Sequence, residues 1–383
     1  MSVSCVKNLS FQDNSWYHIV DKLLAYADIE INGLRPFDIH VNNPDLFKRV
    51  LQYGSLGLGE SYMDGWWKCE QLDIFFQRVL RAGLKNKIPQ NFKDILRVIV
   101  ARVTNFQSHK RAWIVGKEHY DIGNHLFSLM LDPFMQYSCG YWHHATNLEQ
   151  AQKNKLEMIC QKLQLRPGIS LLDVGCRWGG LAHYAAKYHG AKVHGITISA
   201  EQQKFAQKHC EGQDINILLQ DYRDLNLQFD RIVSVGMFEH AGQKNYHTYF
   251  DVIARNLKPD GLFLLQTIGT QKTDMNFDPW IDKYIFPNGR LPSVQHIAKA
   301  SERYFVMEDW HNFGADYDLT LMAWHERFVR SWPSLQNNYS DRFYRMFVYY
   351  LHSCAGAFRS RRIQLWQVLF SPHGVEGTLC IAR

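Results

Sequence analysis

The segment Leu171-Leu172-Asp173-Val174-Gly175-Cys176-Arg177-Trp178-Gly179-Gly180 reads as an apolar strand, a glycine turn and a helix start. In open α/β sheets, ligands bind beyond the C-terminal ends of the strands. A glycine there lets the backbone approach a ligand closely. A dinucleotide fingerprint requires Gly-x-Gly-x-x-Gly, and Arg177 breaks it, so an NAD enzyme is disfavoured. A second strand end, Thr197-Ile198-Ser199-Ala200-Glu201-Gln202, offers Thr197, Ser199 and Gln202 where an acid for ribose hydroxyls is common. A third, Ile217-Leu218-Leu219-Gln220-Asp221-Tyr222, puts Asp221 and an aromatic ring where an adenine could sit. Three such pieces in the right order argue against ordinary loop chemistry.

The elements that must position these residues follow from periodicity. Strands are predicted at 170–174, 192–197, 231–235 and 262–265, and helices at 181–188 and 200–210. Strands alternating with helices imply a parallel sheet with helices on both faces. Upstream, residues 1–80 read as mixed α/β, with a helix over 15–24 and a short strand at Ile29-Glu30-Ile31. Gly54 to Trp67 reads as a turn-rich structural segment, since no Gly-Lys-Ser/Thr follows to make a P-loop. Residues 85–111 carry Lys85, Lys87, Lys93, Arg97, Arg102, Lys110 and Arg111 against Asp94 alone, with apolar residues between them. Such a segment suits either an anionic membrane surface or a solvated helix face. The expected layout is an N-terminal domain over 1–108, a linker over 109–118 and a second domain over 119–383.

Composition narrows the classes. A chain of 383 residues with 46% hydrophobic and 21% charged residues suits two or three globular domains. Its formal charge of +6 permits an anionic partner without demanding one. None of the eight cysteines is spaced as Cys-x-x-Cys, so no zinc ribbon or thioredoxin motif is expected, and reduced thiols in the cytoplasm are. The N-terminal residues hold no apolar signal core, Ser2 excludes myristoylation, and no apolar stretch is long enough to span a bilayer. Amino-type DNA methylation is disfavoured because the chain has no Pro-Pro pair. No metal site is expected, and no nucleic-acid partner.

The pattern Asp173-x-Gly175-x-x-x-Gly179-Gly180 resembles the first motif of class I S-adenosylmethionine (SAM) methyltransferases, with their Rossmann-like α/β fold. Beyond it, the chain resembles bacterial cyclopropane-fatty-acyl-phospholipid synthases over nearly its whole length. The resemblance rests on Gly57-Leu58-Gly59-Glu60-Ser61-Tyr62-Met63-Asp64-Gly65-Trp66-Trp67, His119-Tyr120-Asp121-Ile122-Gly123-Asn124 and Gln136-Tyr137-Ser138-Cys139. It rests also on Ser234-Val235-Gly236-Met237-Phe238-Glu239-His240, Lys283-Tyr284-Ile285-Phe286-Pro287-Asn288-Gly289 and Asp309-Trp310-His311-Asn312-Phe313-Gly314.

The resemblance implies methylene transfer from SAM to a cis double bond of a phospholipid acyl chain, with bicarbonate as base. It implies a bicarbonate cradle of Cys139, Glu239, Gln266, Ile268 through its backbone, and Tyr317. Tyr137 and Ser138 match positions that touch SAM. It makes the domain over 1–108 lipid- or membrane-engaging and the domain over 119–383 catalytic. It also implies a homodimer working peripherally at the inner membrane surface. Cys354 is expected to be a pocket-lining or core thiol; an active-site role stays open because the family has been so interpreted.

Two positions depart from the family pattern. Arg177 stands for a glycine; its side chain either strains the turn, swings out, or pairs with the SAM carboxylate. Gln266 stands for a histidine, and a glutamine can donate to an anion but not relay protons. Weaker bicarbonate binding and slower ring closure follow as expectations. Methyl addition without ring closure, and a SAM- or lipid-binding paralogue without catalysis, are the alternatives.

Overall fold

The computed structural model describes residues 15–84, 123–273, 277–377 and 381–383. The basic segment 85–111, the expected linker 109–118 and His119–Ile122 lie outside the described residues. The chain divides into two compact units. One takes residues 1–121, 278–285 and 336–360; the other takes 122–277, 286–335 and 361–383.

The first unit is mostly helical. Helices Ser15–Ala25, Asp45–Tyr53, Ser55–Met63 and Leu72–Ala82 are joined by Pro279–Tyr284 and Asp341–Arg359. Its two short strands, β1 (His40–Val41) and β2 (Trp67–Lys68), pair antiparallel. Ile31 makes only an isolated bridge to Ile39 rather than a strand. The turn-rich reading of Gly54–Trp67 is corrected: Ser55–Met63 is a helix. Its glycines answer to packing rather than to turns. A Cβ on Gly57 would stand 2.3 Å from the Arg49 carbonyl, and one on Gly59 2.3 Å from the Trp280 ring. Close helix packing selects glycine here despite its low helix propensity.

The second unit is built on one sheet. Its strands are β3 (Ser170–Val174), β4 (Lys192–Thr197), β5 (Ile215–Leu219), β6 (Phe229–Val235), β7 (Leu257–Gly269), β8 (Val306–Asn312) and β9 (Gln364–Ser371). They lie in the order β5-β4-β3-β6-β7-β9-β8. The first five run parallel, and β9 is antiparallel to both β7 and β8. Leu171, Leu172, Val174, Ile232 and Val233 are almost fully buried, as strands covered on both faces require. Apolar clusters fill both faces: Leu172, Phe250 and Phe263 belong to one, Leu171, Tyr184 and Val193 to the other.

From β3 the chain winds outward through β4 and β5, then returns to the other side for β6. The strand order therefore reverses between β3 and β6, and that switch point is where open α/β sheets bind ligands. The glycine turn lies at the end of β3, and Gly236 follows β6.

Candidate active site

The loop Gln136–Trp142 is fixed to two helices, Leu148–Lys162 and Asp316–Leu335. From the first, Gln152 donates to the Ser138 carbonyl at 2.7 Å, and the Lys155 ammonium reaches the Ser138 hydroxyl at 3.2 Å and Gln136 Oε1. From the second, the Thr320 hydroxyl accepts from Gly140 N–H (3.0 Å) and from Trp142 Nε1–H (2.9 Å), while Asp316 accepts from Trp142 N–H (2.7 Å). Gly180 admits the approach to this loop: a Cβ there would lie 1.7 Å from the Phe134 carbonyl and 2.5 Å from Gln136 Nε2. Cys139 is thereby held with no exposed surface, its thiol donating to the Gly140 carbonyl at 3.1 Å. Burial, with Asp316 adding to it, pushes that thiol far above its ordinary range, so Cys139 keeps its proton.

Glu239 stands on the one-turn helix Phe238–Ala241 that follows β6. It is 7% exposed. Oε1 accepts the Ile268 N–H at 2.7 Å, and the residue's own carbonyl accepts from Arg290 N–H. Oε2 is buried with no hydrogen-bond partner among the described residues. Burial raises the Glu239 carboxyl, and the Ile268 N–H only partly offsets it. Tyr317 has its phenol pushed far up by burial and by Cys139, and it lies within electrostatic reach of Glu239, Tyr137 and Arg177. Gln266 is buried in β7, its Oε1 accepting from Gln367 Nε2 at 2.9 Å.

The structure thus brings Cys139, Glu239, Ile268, Tyr317 and Tyr137 into one neighbourhood, with Gln266 two residues from Ile268 on the same strand. Of the Ile268 backbone expected to hold bicarbonate, the N–H is given to Glu239. Cys354 lies in the first unit, on the helix Asp341–Arg359, and burial pushes its thiol up to about 12, which leaves it a poor nucleophile at neutral pH.

The glycine turn has the conformation a close approach needs. Gly175 and Gly179 sit at φ +85° and +80°. Arg177 sits at φ +51°, in the left-handed region. Its guanidinium is not swung out: it donates to the Tyr137 carbonyl (2.6 Å) and the Gly236 carbonyl (3.1 Å). Asp173 is buried at the end of β3, its Oδ2 without a partner among the described residues, and burial raises its carboxyl to about 7, offset in part by Lys155 and Arg177. Leu171, Leu172 and Val174 are core residues that hold the turn from below. Cys176 is buried too, and Trp178 donates from Nε1 to Asn124.

At the second strand end, Ser199 caps the helix Ala200–His209 through Gln202 N–H, and the Thr197 hydroxyl bonds Gln202 Oε1. Ile198 is 82% exposed. Ala200 and Glu201 are exposed as well. At the third, the Tyr222 ring is a correction: it turns into the core against Tyr249 rather than toward a ligand, because the chain there forms a short 3-10 turn. Asp221 pairs with Arg223 at 2.6 Å.

Sequence reasoning missed Lys155, Thr320, Phe127 and Trp324. Trp178, Phe127, Tyr137, Trp324 and Tyr317 form a continuous run of ring contacts at 5.0–6.1 Å between centroids. This aromatic wall joins the glycine turn to Tyr317. Burial brings the Lys155 ammonium down to about 8, with Asp132 offsetting part of it. Among the described residues no cluster of potential metal ligands occurs.

The family model described as mycolic acid cyclopropane synthetase matches residues 107–368. The cyclopropane-fatty-acyl-phospholipid synthase of Escherichia coli K12 is 68% identical over 383 residues, which is all of both chains. A probable fatty acid methyltransferase of Pseudomonas putida is 36% identical over 66% of this chain and 67% of its own. Among solved structures, the cyclopropane synthase MmaA2 of Mycobacterium tuberculosis aligns with a TM-score of 0.62 and 30% identity, covering 70% of this chain and 99% of that one. The mycolic acid cyclopropane synthase CmaA1, solved with SAH and CTAB, aligns with a TM-score of 0.61 and 30% identity, over 69% of this chain and 99% of its own. With the sheet order, the glycine turn and the Glu239 neighbourhood in place, these matches make the chain a member of the cyclopropane synthase family of SAM-dependent methyltransferases.

Proposed function

We propose that this chain transfers a methylene group from SAM to the cis double bond of unsaturated phospholipid acyl chains, closing a cyclopropane ring with bicarbonate as the base. The observation that carries the base assignment is the half-satisfied Glu239. Its buried Oε2 has no hydrogen-bond partner among the described residues, the protonated Tyr317 phenol lies within electrostatic reach, and the Cys139 thiol, whose proton goes to the Gly140 carbonyl, lies in the same neighbourhood. Bicarbonate has one O–H to give and oxygens to accept with, so the donor set fits it.

Ring formation breaks the C–S bond of SAM, makes two C–C bonds to the former alkene carbons and releases one proton. Bound SAM would supply the carbon; its holders would be the turn Asp173–Gly179, the strand end Thr197–Gln202, Tyr137, Ser138 and the backbone at Asp221. The turn lies at the switch point and presents backbone at positive φ. An alkene is a weak nucleophile, so the site must align it and exclude water. The aromatic wall from Trp178 to Tyr317 serves both needs, being apolar and rigid. Glu239 would orient the base, and the Ile268 N–H keeps Oε1 fixed so that Oε2 points one way. Gln266, fixed by Gln367, would add a neutral donor to the same cradle.

We further propose peripheral work at the inner membrane surface as a homodimer, with residues 1–108 engaging lipid. No described helix is long and apolar enough to cross a membrane. The composition of 85–111 supports surface attachment. Charge reversal at Lys93, Arg97 and Arg102 is expected to weaken binding to anionic vesicles at low salt; unchanged binding would remove that role.

The activity test incubates the purified chain with vesicles of unsaturated phospholipid, SAM and bicarbonate. Mass spectrometry should show a gain of one CH2 per modified acyl chain, and NMR should show cyclopropyl protons with loss of olefinic ones. Methyl or methylene branches in their place would shift the assignment to methyl addition without ring closure.

A further inference from the structure

Arg177 holds a backbone conformation that L residues rarely adopt, inside a turn otherwise made for glycine. Its side chain has a defined seat. Nη1 donates to the Tyr137 carbonyl and Nη2 to the Gly236 carbonyl. The guanidinium carbon lies 5.7 Å from the centre of the Tyr137 ring. A Cβ built on Gly236 would stand 3.0 Å from Nη2, so the guanidinium lies directly on the backbone that follows β6. The arginine therefore spans the crevice between the ends of β3 and β6, where a ligand of this sheet enters. It is only partly buried.

SAM carries an α-ammonium at its amino-acid end. An ammonium donates and cannot accept, so it seeks carbonyl oxygens. A guanidinium seeks the same oxygens, and two cations beside one another repel. We infer that Arg177 competes with the amino-acid end of SAM for the carbonyls of Tyr137 and Gly236, so that cofactor binding requires its side chain to withdraw. The inference rests on the SAM reading of this site. It makes Arg177 a residue that sets cofactor affinity, and a side-chain gate on the turn.

Calorimetric titration of the purified full chain with S-adenosylhomocysteine and with 5′-methylthioadenosine tests this. The two share the adenosine and sulfur, but only the first has the amino-acid end. Arg177→Ala keeps a Cβ at positive φ and removes the guanidinium; Arg177→Gly relieves the backbone as well. Both variants are expected to bind S-adenosylhomocysteine at least tenfold more tightly than the natural chain. 5′-Methylthioadenosine should bind all three within twofold. Unchanged or weaker S-adenosylhomocysteine binding by Arg177→Ala would overturn the proposal, and weaker binding would show instead that the guanidinium pairs with the carboxylate. Equal tightening of both ligands would also overturn it, placing the effect on the adenosine. If neither ligand binds any form while circular dichroism shows all three folded, the SAM reading itself fails and the proposal with it.

Discussion

Glu60 in the first unit and Glu239 in the second belong to two motifs on which the family resemblance rests, and they are buried alike, at 9% and 7% exposure. Their partners differ. Glu60 Oε1 accepts from Lys283 Nζ (2.6 Å) and Tyr284 OH (2.9 Å), and Oε2 accepts from Arg49 (2.8 Å). Arg49 is tied in turn to Asp64, which also pairs with Arg342. Burial alone would raise the Glu60 carboxyl, but Lys283 and Arg49 outweigh it and hold the group below its ordinary range. Glu239 has the Ile268 N–H on Oε1, no hydrogen-bond partner for Oε2 among the described residues, and a carboxyl that burial raises, with Ile268, its own N–H, Arg177 and Thr267 offsetting only part of it. A carboxylate satisfied on both oxygens fixes a fold. One left half-satisfied holds an acceptor ready for something the protein does not itself supply, at a cost in stability.

The sharpest way to break that comparison is Glu239→Gln. The amide still accepts from Ile268 N–H but no longer offers a carboxylate to a base. Cyclopropane formation should fall by about a hundredfold or more. Stability should not fall with it. A raised folded-state value means the contribution of Glu239 is present at low pH and lost as pH rises through that value, so at pH 7 the ionised group weakens the fold. The melting midpoint should therefore hold within about 2 °C or rise. A large drop in the midpoint, matching the loss of activity, would make Glu239 a second Glu60.

Glu60→Ala should do the reverse. Its lowered carboxyl contributes stability above the unfolded-state value, lost as pH falls through the folded-state one. Removing it leaves Lys283 and Arg49 without their partner and should destabilise the chain by about 3 kcal/mol. The urea midpoint at pH 7 measures this, and the gap from the natural chain should narrow toward pH 4. A midpoint unchanged at pH 7 would mean that burial and pairing there merely cancel.

Thr320 sharpens the contrast from the supporting side. It touches no proposed reactant, yet its hydroxyl accepts from both Gly140 N–H and Trp142 Nε1–H. Thr320→Val keeps the shape and strands the buried Gly140 N–H and the part-buried Trp142 Nε1–H. It should cost about 2 kcal/mol in urea unfolding. Activity per folded molecule should fall less than in Glu239→Gln. A larger fall would show that the Cys139 loop tolerates no loosening.

How far the sequence shows this division depends on how local each signal is. The strand-turn-helix at 170–189 and the glycine spacing are contiguous, so sheet class and cofactor turn were legible. Lys155 was not, because on the helix Leu148–Lys162 it reads as one more polar residue; only the loop Asp132–Cys139 folded over it makes it buried. Thr320 and Trp324 likewise acquire meaning from a loop nearly two hundred residues earlier in the chain. Gly57 and Gly59 misled in the opposite sense, since glycines crowded by Arg49 and Trp280 look like turn residues until the packing is known. Tyr222 follows a strand end as an adenine-stacking residue would, yet the 3-10 turn there points its ring at Tyr249.

The finest test asks how Arg177 tunes Glu239. The guanidinium lies within electrostatic reach of the carboxyl and draws it downward against the larger effect of burial. If the carboxylate is the active form, activity disappears as pH falls through the raised Glu239 value, above the ordinary range of about 4.3. Arg177→Ala removes the opposing charge, so this acidic limb should move to higher pH. The limb should vanish in Glu239→Gln, whose residual activity should be flat over the same range. A limb that persists in Glu239→Gln belongs to another group, with Asp173 near 7 the first to examine through Asp173→Asn. A limb that moves downward in Arg177→Ala would mean that losing the guanidinium lets water reach the carboxyl. Burial, rather than charge, would then separate Glu239 from Glu60.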